Sequence, residues 1–247
     1  MSGQNAPIGL FWAEFCENKI AVFALVIVVL MILLALFASI ISPQNPYDLA
    51  NLSLMDSRRP PGFVGSGGYT HVLGTDPQGR DLLSAIFYGL RISIQIGLAA
   101  GFVSLTIGTA LGILAAYVGG RIEALIMRLV DLQLSFPAIL LALVIVALLG
   151  QGKAQLIGAL VAAQYAYFAR TAYGAAKAER GKDYIEAAVA TPLSTRLVIL
   201  RHLLPNCTPP LIVVATVQIA NSISLEATLS FLGLGLPVTE PSLGMLI

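Results

Sequence analysis

The feature that most constrains this chain is a run of residues near its start that carries no charge. Residues 20–41 are apolar or small, apart from the hydroxyl of Ser39. A helix of about 20 such residues crosses the hydrocarbon core of a bilayer. The run is longer than the core of a secretory signal peptide and lacks a basic segment before it. We therefore interpret it as a retained membrane anchor.

The composition extends this interpretation to the whole chain. Hydrophobic residues make up 57% of it and charged residues 11%, whereas soluble domains carry roughly 25% charged residues. Four more apolar stretches follow the first one, at residues 92–118, 124–149, 155–176 and 208–235. The sequence predicts an all-α integral membrane protein surrounded by lipid. The net charge of +1 and the absence of a basic tract do not favour a nucleic-acid partner.

Three parts are predicted: residues 1–45 with the first span, 46–91 as an aqueous loop ending in an interfacial helix, and 92–247 as the core. Five prolines lie between residues 42 and 79, which indicates an aqueous loop. The stretch Leu73–Asp81 is predicted to be a charge-paired turn with a helix cap, and His71 a loop histidine without a partner. Residues 80–90 have one apolar face and are expected to lie in the interface before the chain turns inward.

The second span carries glycines at a spacing typical of helix packing. They occur at i, i+4, i+11 and i+15 on one face: Gly97, Gly101, Gly108 and Gly112. Small residues let two helix backbones approach closely in lipid. We predict a packing seam here.

Charged residues inside a span are costly and often functional. Asp131 lies three residues after Arg128, so the two are expected to pair on one helix face, and a transport role for Asp131 stays open. Pro137 is expected to bend this span. Arg170 in the fourth span either faces a wet path or extends to the nearby interface.

Polar side chains in the later spans are further candidates for the transport path. Gln164 lies in the fourth span, and Asn221 and Glu226 polarise the fifth. Glu226 is the acid deepest within a span. For it we weigh a hydrogen bond between helices against direct contact with the transported solute, and slightly favour the former.

A polar, helix-forming segment, residues 183–205, separates the last two spans. Asp183 with Glu186 three residues later predicts a helix N-terminus near Tyr184. This helix is expected to end before Pro192, and Thr191 with Pro192 is expected to start the next one.

The second helix of this segment is predicted from an apolar stripe at i, i+4, i+7 and i+11, formed by Leu193, Leu197, Leu200 and Leu204. Arg196 lies off the stripe, and Pro205 is expected to close the helix. Taken alone, the segment also fits an ordinary amphipathic surface helix.

Glu186-Ala187-Ala188, followed by the run ending in Leu204-Pro205-Asn206, resembles the EAA loop of permease subunits of ABC importers. In that family the loop docks into a groove of the cytoplasmic ATP-hydrolysing subunit. The family usually has glycine where this chain has Pro192, which puts the angle between the two helices in question. The coupling residues implied are Asp183, Tyr184, Ile185, Glu186, Ala187, Ala188, Pro192, Arg196 and Pro205, within a loop at 177–207.

Two further segments, Leu73–Asp81 and Glu226–Gly235, look like signatures of the dipeptide, oligopeptide and nickel branch of these permeases. The resemblance implies the type I permease fold with six spans, so we expect a chain shortened before its last helix. It also implies a related second permease, two ATP-binding subunits that hold ATP and Mg²⁺, and an extracytoplasmic solute-binding protein. Dipeptides or oligopeptides are the expected solutes, with nickel, opines or glutathione-like solutes as alternatives.

No residues for catalysis or for a metal site stand out in the sequence. The phosphate-binding pattern Gly-x-x-x-x-Gly-Lys-Ser/Thr is not met at Lys153, and Cys16 and Cys207 have no metal-ligand spacing around them. ATP hydrolysis is therefore expected on other subunits. The distribution of Lys and Arg predicts a cytoplasmic N-terminus and a cytoplasmic 183–205 segment, and the resemblance implies the bacterial inner membrane. An ion-driven transporter is the rival hypothesis, but the inverted repeats it predicts are not seen.

Overall fold

The computed structural model describes residues 7–48, 52–185 and 194–247. Contacts divide the chain into two compact units, one up to Arg91 and one from Ile92 onward, and the division falls inside one long helix.

The first unit begins with α1 (Pro7–Glu17), α2 (Lys19–Leu36) and α3 (Ala38–Ile41). The side chain of Asn18 accepts hydrogen bonds from the backbone N–H groups of Ile20 and Ala21, so it caps the N-terminus of α2. Most side chains of α2 are exposed. An apolar helix that is exposed on all sides is suited to lipid, as the sequence predicted.

The loop after α3 folds around a short hairpin. A 3₁₀ turn at Leu54–Asp56 precedes β1 (Phe63–Val64), which pairs antiparallel with β2 (Thr70–His71). The predicted charge-paired turn is confirmed, because Arg80 Nε lies 2.6 Å from Asp76 Oδ2 with both side chains buried.

The structure contradicts the prediction that His71 lacks a partner. Its Nδ1 lies 3.1 Å from Asp81 Oδ1, and both residues are buried. Asp81 Oδ2 also accepts from the backbone N–H of Ser84, 2.8 Å away, which makes Asp81 the predicted cap of the next helix. The hairpin brings His71 back to Asp81, and the sequence spacing alone does not show this.

That helix, α4 (Leu82–Val118), is 37 residues long and continuous. The predicted turn between an interfacial helix and the second span is therefore wrong. The expected boundary contains no proline, and Gly89 costs a helix only about 1 kcal/mol relative to alanine. Nothing at this point in the sequence stops the helix.

The second unit completes α4 and adds the remaining elements of the chain. They are α5 (Gly120–Leu134), α6 (Ala138–Leu149), α7 (Lys153–Arg180), α8 (Thr195–Val198), a π-helical turn (Ile199–Leu203), α9 (Leu204–Phe231) and a 3₁₀ turn (Leu243–Leu246). The predicted bend of the third span at Pro137 is present as a full break, because α5 and α6 meet at 92°. Pro137 lacks an N–H and disfavours helical geometry at Phe136, which favours a helix end at this point.

Helix α7 lies at the centre of the second unit. It contributes buried residues to all three apolar clusters, which it shares with α4, α5, α6 and α9. Six of its buried residues are alanines, namely Ala159, Ala163, Ala166, Ala169, Ala172 and Ala176. Small side chains let the neighbouring helices pack closely against it.

Three stretches within the described residues are long and apolar enough to cross a membrane: Lys19–Leu36, Leu82–Val118 and Thr195–Phe231. The broken pair α5–α6 adds a fourth when it is counted as one span. Helix α7, predicted as a span, is not among them. Its 28 residues are long enough to cross at 1.5 Å per residue, but its alanines, polar and charged side chains make it less apolar than those three stretches.

Candidate functional site

A groove with polar side chains runs between α7 and α9. It contains two cavities, of about 470 and 240 Å³, and both are lined by Tyr167 and Gln218. The larger also contacts Leu134 and Arg170, and the smaller Ala138. We call these two cavities together the polar groove.

Asp131 and Arg170 form an ion pair beside the larger cavity. Arg170 Nη1 lies 3.1 Å from Asp131 Oδ1, and each side chain is about half exposed, at 53% and 52%. The predicted pairing of Asp131 with Arg128 is therefore wrong. Helix α7 packs against α5 and brings Arg170 to the carboxylate, and the spacing within α5 does not show this contact.

Two more of the predicted path residues line the smaller cavity. The amide of Gln164 is buried and lies 2.8 Å from the Ser222 hydroxyl, which in turn donates to the Gln218 carbonyl at 2.9 Å. Asn221 is exposed, and its Nδ2 lies 3.3 Å from Gln218 Oε1. The sequence reasoning missed Gln218, although it lies three and four residues before Asn221 and Ser222, on one face of α9.

Glu226 lies outside the polar groove. Its carboxylate is fully buried and accepts hydrogen bonds from the hydroxyls of Ser93, Ser230 and Ser242 at 2.6, 2.9 and 2.7 Å. This arrangement is the hydrogen bond between helices that the sequence analysis slightly favoured over solute contact.

The glycines of α4 contact two different helices. A Cβ at Gly97 or Gly101 would lie 2.6 Å from side-chain carbons of Ile223 and Ile219 in α9. Gly108 and Gly112 instead face the backbone of α7. The single seam predicted from their spacing thus serves two neighbours along its length.

Within the candidate coupling segment, the structure describes residues 183–185 and 194–205. Glu186, Ala187, Ala188 and Pro192 lie outside the described residues. Asp183, Tyr184 and Ile185 are helical, and Ile185 is buried.

Tyr184 anchors the first half of this segment to α7. Its hydroxyl donates to Glu179 Oε2, 2.5 Å away, and this contact raises the pKa of Tyr184 to about 12. The ring remains 42% exposed. Arg196 in α8 is also exposed, so both halves carry exposed side chains.

The prediction that Pro205 closes the second helix is wrong. Pro205 lies in the first turn of α9, after the π-helical turn, and the helical run from Thr195 continues to Phe231. The missing N–H of a proline leaves a carbonyl unsatisfied one turn earlier, and a π-type turn adjusts the hydrogen bonding locally. The Asn206 amide assists by donating to the His202 carbonyl at 2.6 Å.

The predicted leucine stripe is not the buried face of this segment. Val198 and Leu203 are buried, while Leu197 and Leu200 are exposed. The π-helical turn holds more residues per turn than an α-helix, so a stripe drawn at 3.6 residues per turn drifts off the buried face.

Among the residues the structure describes, no group of three His, Cys, Asp or Glu side chains is placed to hold a metal ion. The two cysteines are free thiols, Cys16 exposed and Cys207 buried.

Comparison with known proteins identifies the family. Residues 108–247, more than half of the chain, match the binding-protein-dependent transport system inner membrane component. Residues 6–61 match the N-terminal TM domain of oligopeptide transport permease C.

Curated relatives align over almost the whole chain. The di/tripeptide transport system permease protein DppC of Pseudomonas aeruginosa is 36% identical over 98% of this chain and 79% of its own length. The dipeptide permease DppC of Haemophilus influenzae is 33% identical over 98% and 81%. The glutathione transport system permease protein GsiD of Pectobacterium atrosepticum is 35% identical over 98% and 78%.

A solved structure of the MetNI methionine ABC transporter shares the fold. It superposes with a TM-score of 0.50 at 20% identity, covering 65% of this chain and 78% of that one. The architecture is therefore that of type I importer permeases. On these grounds the chain belongs to the permease subunits of binding-protein-dependent ABC importers, in their dipeptide and oligopeptide branch, as a multi-pass protein of the inner membrane.

Proposed function

We propose that this permease imports dipeptides and short oligopeptides. The observation that carries the proposal is its 36% identity, over 98% of the chain, to a di/tripeptide transport permease. Glutathione is the second candidate solute, because a glutathione permease is 35% identical over the same share of the chain. Both solutes combine peptide bonds with free ammonium and carboxylate groups.

The polar groove is proposed as this chain's contribution to the translocation path. Gln164, Arg170 and Asn221 line it, together with Tyr167 and Gln218. Amides, hydroxyls and one ion pair suit a solute rich in peptide groups better than they suit lipid chains, because polar groups in the membrane interior need polar partners.

The energy is proposed to come from two separate ATP-binding subunits that carry ATP and Mg²⁺. Residues 183–205 are the proposed contact, with the N-terminus and this segment on the cytoplasmic side. The exposed side chains of Tyr184 and Arg196 support this assignment. Because the segment connects α7 to α9, a movement of the ATP-binding subunits would shift the two helices that form the polar groove.

A related permease is proposed to supply the other half of the path, and an extracytoplasmic binding protein to deliver the solute. The family description, a binding-protein-dependent transport system, supports the second partner in general terms.

The test is ATP-dependent uptake by the reassembled importer. The permease, purified with the subunits encoded by its neighbouring genes, is placed in proteoliposomes with radiolabelled dialanine, glutathione or nickel. Native protein is expected to import the dipeptide only when ATP is supplied. Uptake driven by an ion gradient without ATP would contradict the proposal. Uptake of nickel or glutathione without uptake of the dipeptide would show that the proposed solute class is wrong.

A double variant tests the coupling segment. Glu186→Arg with Ala188→Trp is expected to abolish ATPase stimulation while the permease still inserts. The matched control is Glu14→Arg with Ala13→Trp on α1, where both residues are exposed. If the 186/188 variant keeps native ATPase activity, residues 183–205 are not the contact.

A further inference from the structure

The Asp131–Arg170 pair lies next to the break between α5 and α6. Asp131 is in the last turn of α5, and the chain then turns by 92° before α6 begins at Ala138. The last residue of α5 lines the larger cavity and the first residue of α6 lines the smaller one. Broken helices within a membrane are tolerated where they face protein or a water-filled cavity.

The pair contributes little as a structural link. Both side chains are about half exposed, and ion pairs of this kind stabilise a fold by about 0–1 kcal/mol. Charged side chains within the predicted spans of a membrane protein are nevertheless rare, and they often mark solute or ion pathways. The position of the pair beside a groove that also carries amide and hydroxyl side chains favours a role in a solute pathway.

We propose that Asp131 and Arg170 form a zwitterion-exchange site, at which the two charges separate and pair with the carboxylate and ammonium groups of a passing peptide. The inference rests on the proposed function and adds the residues that select its solutes. The planar guanidinium of Arg170 binds a carboxylate through two parallel hydrogen bonds, and Asp131 accepts from an ammonium group.

Charge balance explains why a zwitterion is the preferred ligand. When a peptide with both free termini enters, two ion pairs replace one, so neither side chain is left without a partner of opposite charge. A solute with only a carboxylate would take Arg170 and leave Asp131 unpaired. An amidated peptide would leave Arg170 unpaired. The site therefore favours solutes that carry both an ammonium and a carboxylate group over solutes that carry only one of them.

The rest of the polar groove fits the remainder of such a solute. The larger cavity, about 470 Å³, lies in the range of small-molecule sites. Gln218 lines both cavities and Asn221 lines the smaller one, and the amides of both residues can donate to and accept from a peptide bond.

The first experiment measures uptake and ATP hydrolysis together in the complete importer. The variant Asp131→Leu with Arg170→Met removes both charges at once, so no unpaired charge remains to disturb assembly. We expect dipeptide uptake to fall about tenfold or more, while stimulated ATPase activity stays within about twofold of the native rate. Arg170→Lys should retain part of the uptake, because it keeps the charge and loses the planar geometry.

The matched control is another ion pair outside the polar groove, Lys153 with Glu240, whose Nζ and Oε2 lie 2.9 Å apart. Lys153→Met with Glu240→Leu should leave uptake per ATP unchanged. Native uptake by the 131/170 double variant would overturn the inference, as would an equal loss in both double variants. Absence of peptide uptake by the native importer would instead refute the proposed solute class.

A labelling experiment measures whether a peptide binds at the site, independently of its transport. Thr171 lines the larger cavity next to Arg170, and Thr171→Cys on a Cys16→Ser background provides a thiol there. In the permease–ATPase complex without binding protein, millimolar dialanine should slow alkylation of this thiol, and dialanine amide or N-acetyl-dialanine should slow it less. The protection should disappear in the 131/170 double variant. Equal protection by all three compounds would overturn the zwitterion assignment.

Discussion

Ser93 of α4 and Glu226 of α9 lie 133 residues apart in the chain, and the Ser93 hydroxyl donates a 2.6 Å hydrogen bond to Glu226 Oε2. The other oxygen accepts from Ser230 and from Ser242, which precedes the 3₁₀ turn Leu243–Leu246. One buried carboxylate thus joins two long helices and the segment that follows them.

Replacing Glu226 with alanine should destabilise the permease strongly. Three serine hydroxyls would lose their acceptor in a buried site, at a cost of about 3 kcal/mol, or roughly 10 °C in Tm for a chain of this size. Thermal unfolding in detergent measures the effect, and Glu226→Gln should cost less. Ser224→Ala is the control, because this exposed hydroxyl donates only to the Ala220 carbonyl of its own helix. Equal Tm values for Glu226→Ala and Ser224→Ala would contradict this prediction.

The glycines of α4 should tolerate alanine to different extents. A methyl group at Gly108 or Gly112 meets the backbone of α7, which cannot move aside, so we expect a loss of about 1–3 kcal/mol. At Gly97 and Gly101 it meets isoleucine side chains that can adjust their rotamers, and the loss should be smaller. Gly158→Ala, with open space around it, is the control. The same thermal measurement ranks the five variants, and a reversed order would show that the helices pack differently.

The loop of the first unit should lose stability in acid. Asp56 Oδ2 accepts from the hydroxyl and the backbone N–H of Ser66, at 2.6 and 2.9 Å. These bonds, helped by the nearby charges of His71 and Arg59, hold the pKa of Asp56 below its usual 3.8. Since the folded pKa is the lower one, this stabilisation is complete above 3.8 and is lost as the pH falls through the folded pKa.

Hydrogen exchange over residues 52–81 tests this prediction. Protection of the loop should begin to decrease as the pH falls below the usual aspartate pKa of 3.8, and should be lost as the pH passes through the lower pKa of folded Asp56. Asp56→Asn should weaken protection already at neutral pH and flatten its dependence on pH. If native protein and Asp56→Asn show the same pH profile, Asp56 is not the group responsible.

The two thiols should differ sharply in reactivity. Cys16 is exposed and Cys207 is fully buried in α9. A maleimide should therefore label one site in folded protein and both sites after denaturation, because alkylation needs access to the sulfur. Mass spectrometry of the peptides identifies the sites, with Cys16→Ser as control. Rapid labelling of Cys207 in folded protein would place α9 differently.

Several local elements in residues 7–48 and 52–185 were predictable from their own sequence. The uncharged run at 20–41 predicted α2, and Asp81 before an apolar face predicted the capped start of α4. Pro137 predicted a bend in the third span, because proline restricts the backbone conformation of the residue before it and cannot donate a helical hydrogen bond. These signals are local, so no knowledge of the fold is needed to interpret them.

The predictions from sequence were wrong where the helix departs from α-helical geometry. The π-helical turn at Ile199–Leu203 rotates the helix face, so Leu197 and Leu200 are exposed while Val198 and Leu203 are buried. Pro205 was interpreted as a terminator and instead begins a helix that runs to Phe231. The π-helical turn before Pro205 adjusts the hydrogen bonding around its missing N–H, so the helical run continues through this proline.

The sequence by itself determined that this chain is a helical membrane protein and pointed to its family, because hydrophobic runs and short motifs depend only on neighbouring residues. Tertiary structure alone decided that Asp131 pairs with Arg170, that His71 contacts Asp81, and that Glu226 binds Ser93. Each of these pairs joins residues brought together by helix packing or by a hairpin. Such contacts depend on how each helix is rotated and where it crosses its neighbours. The spacing of two residues along the chain does not determine either of these.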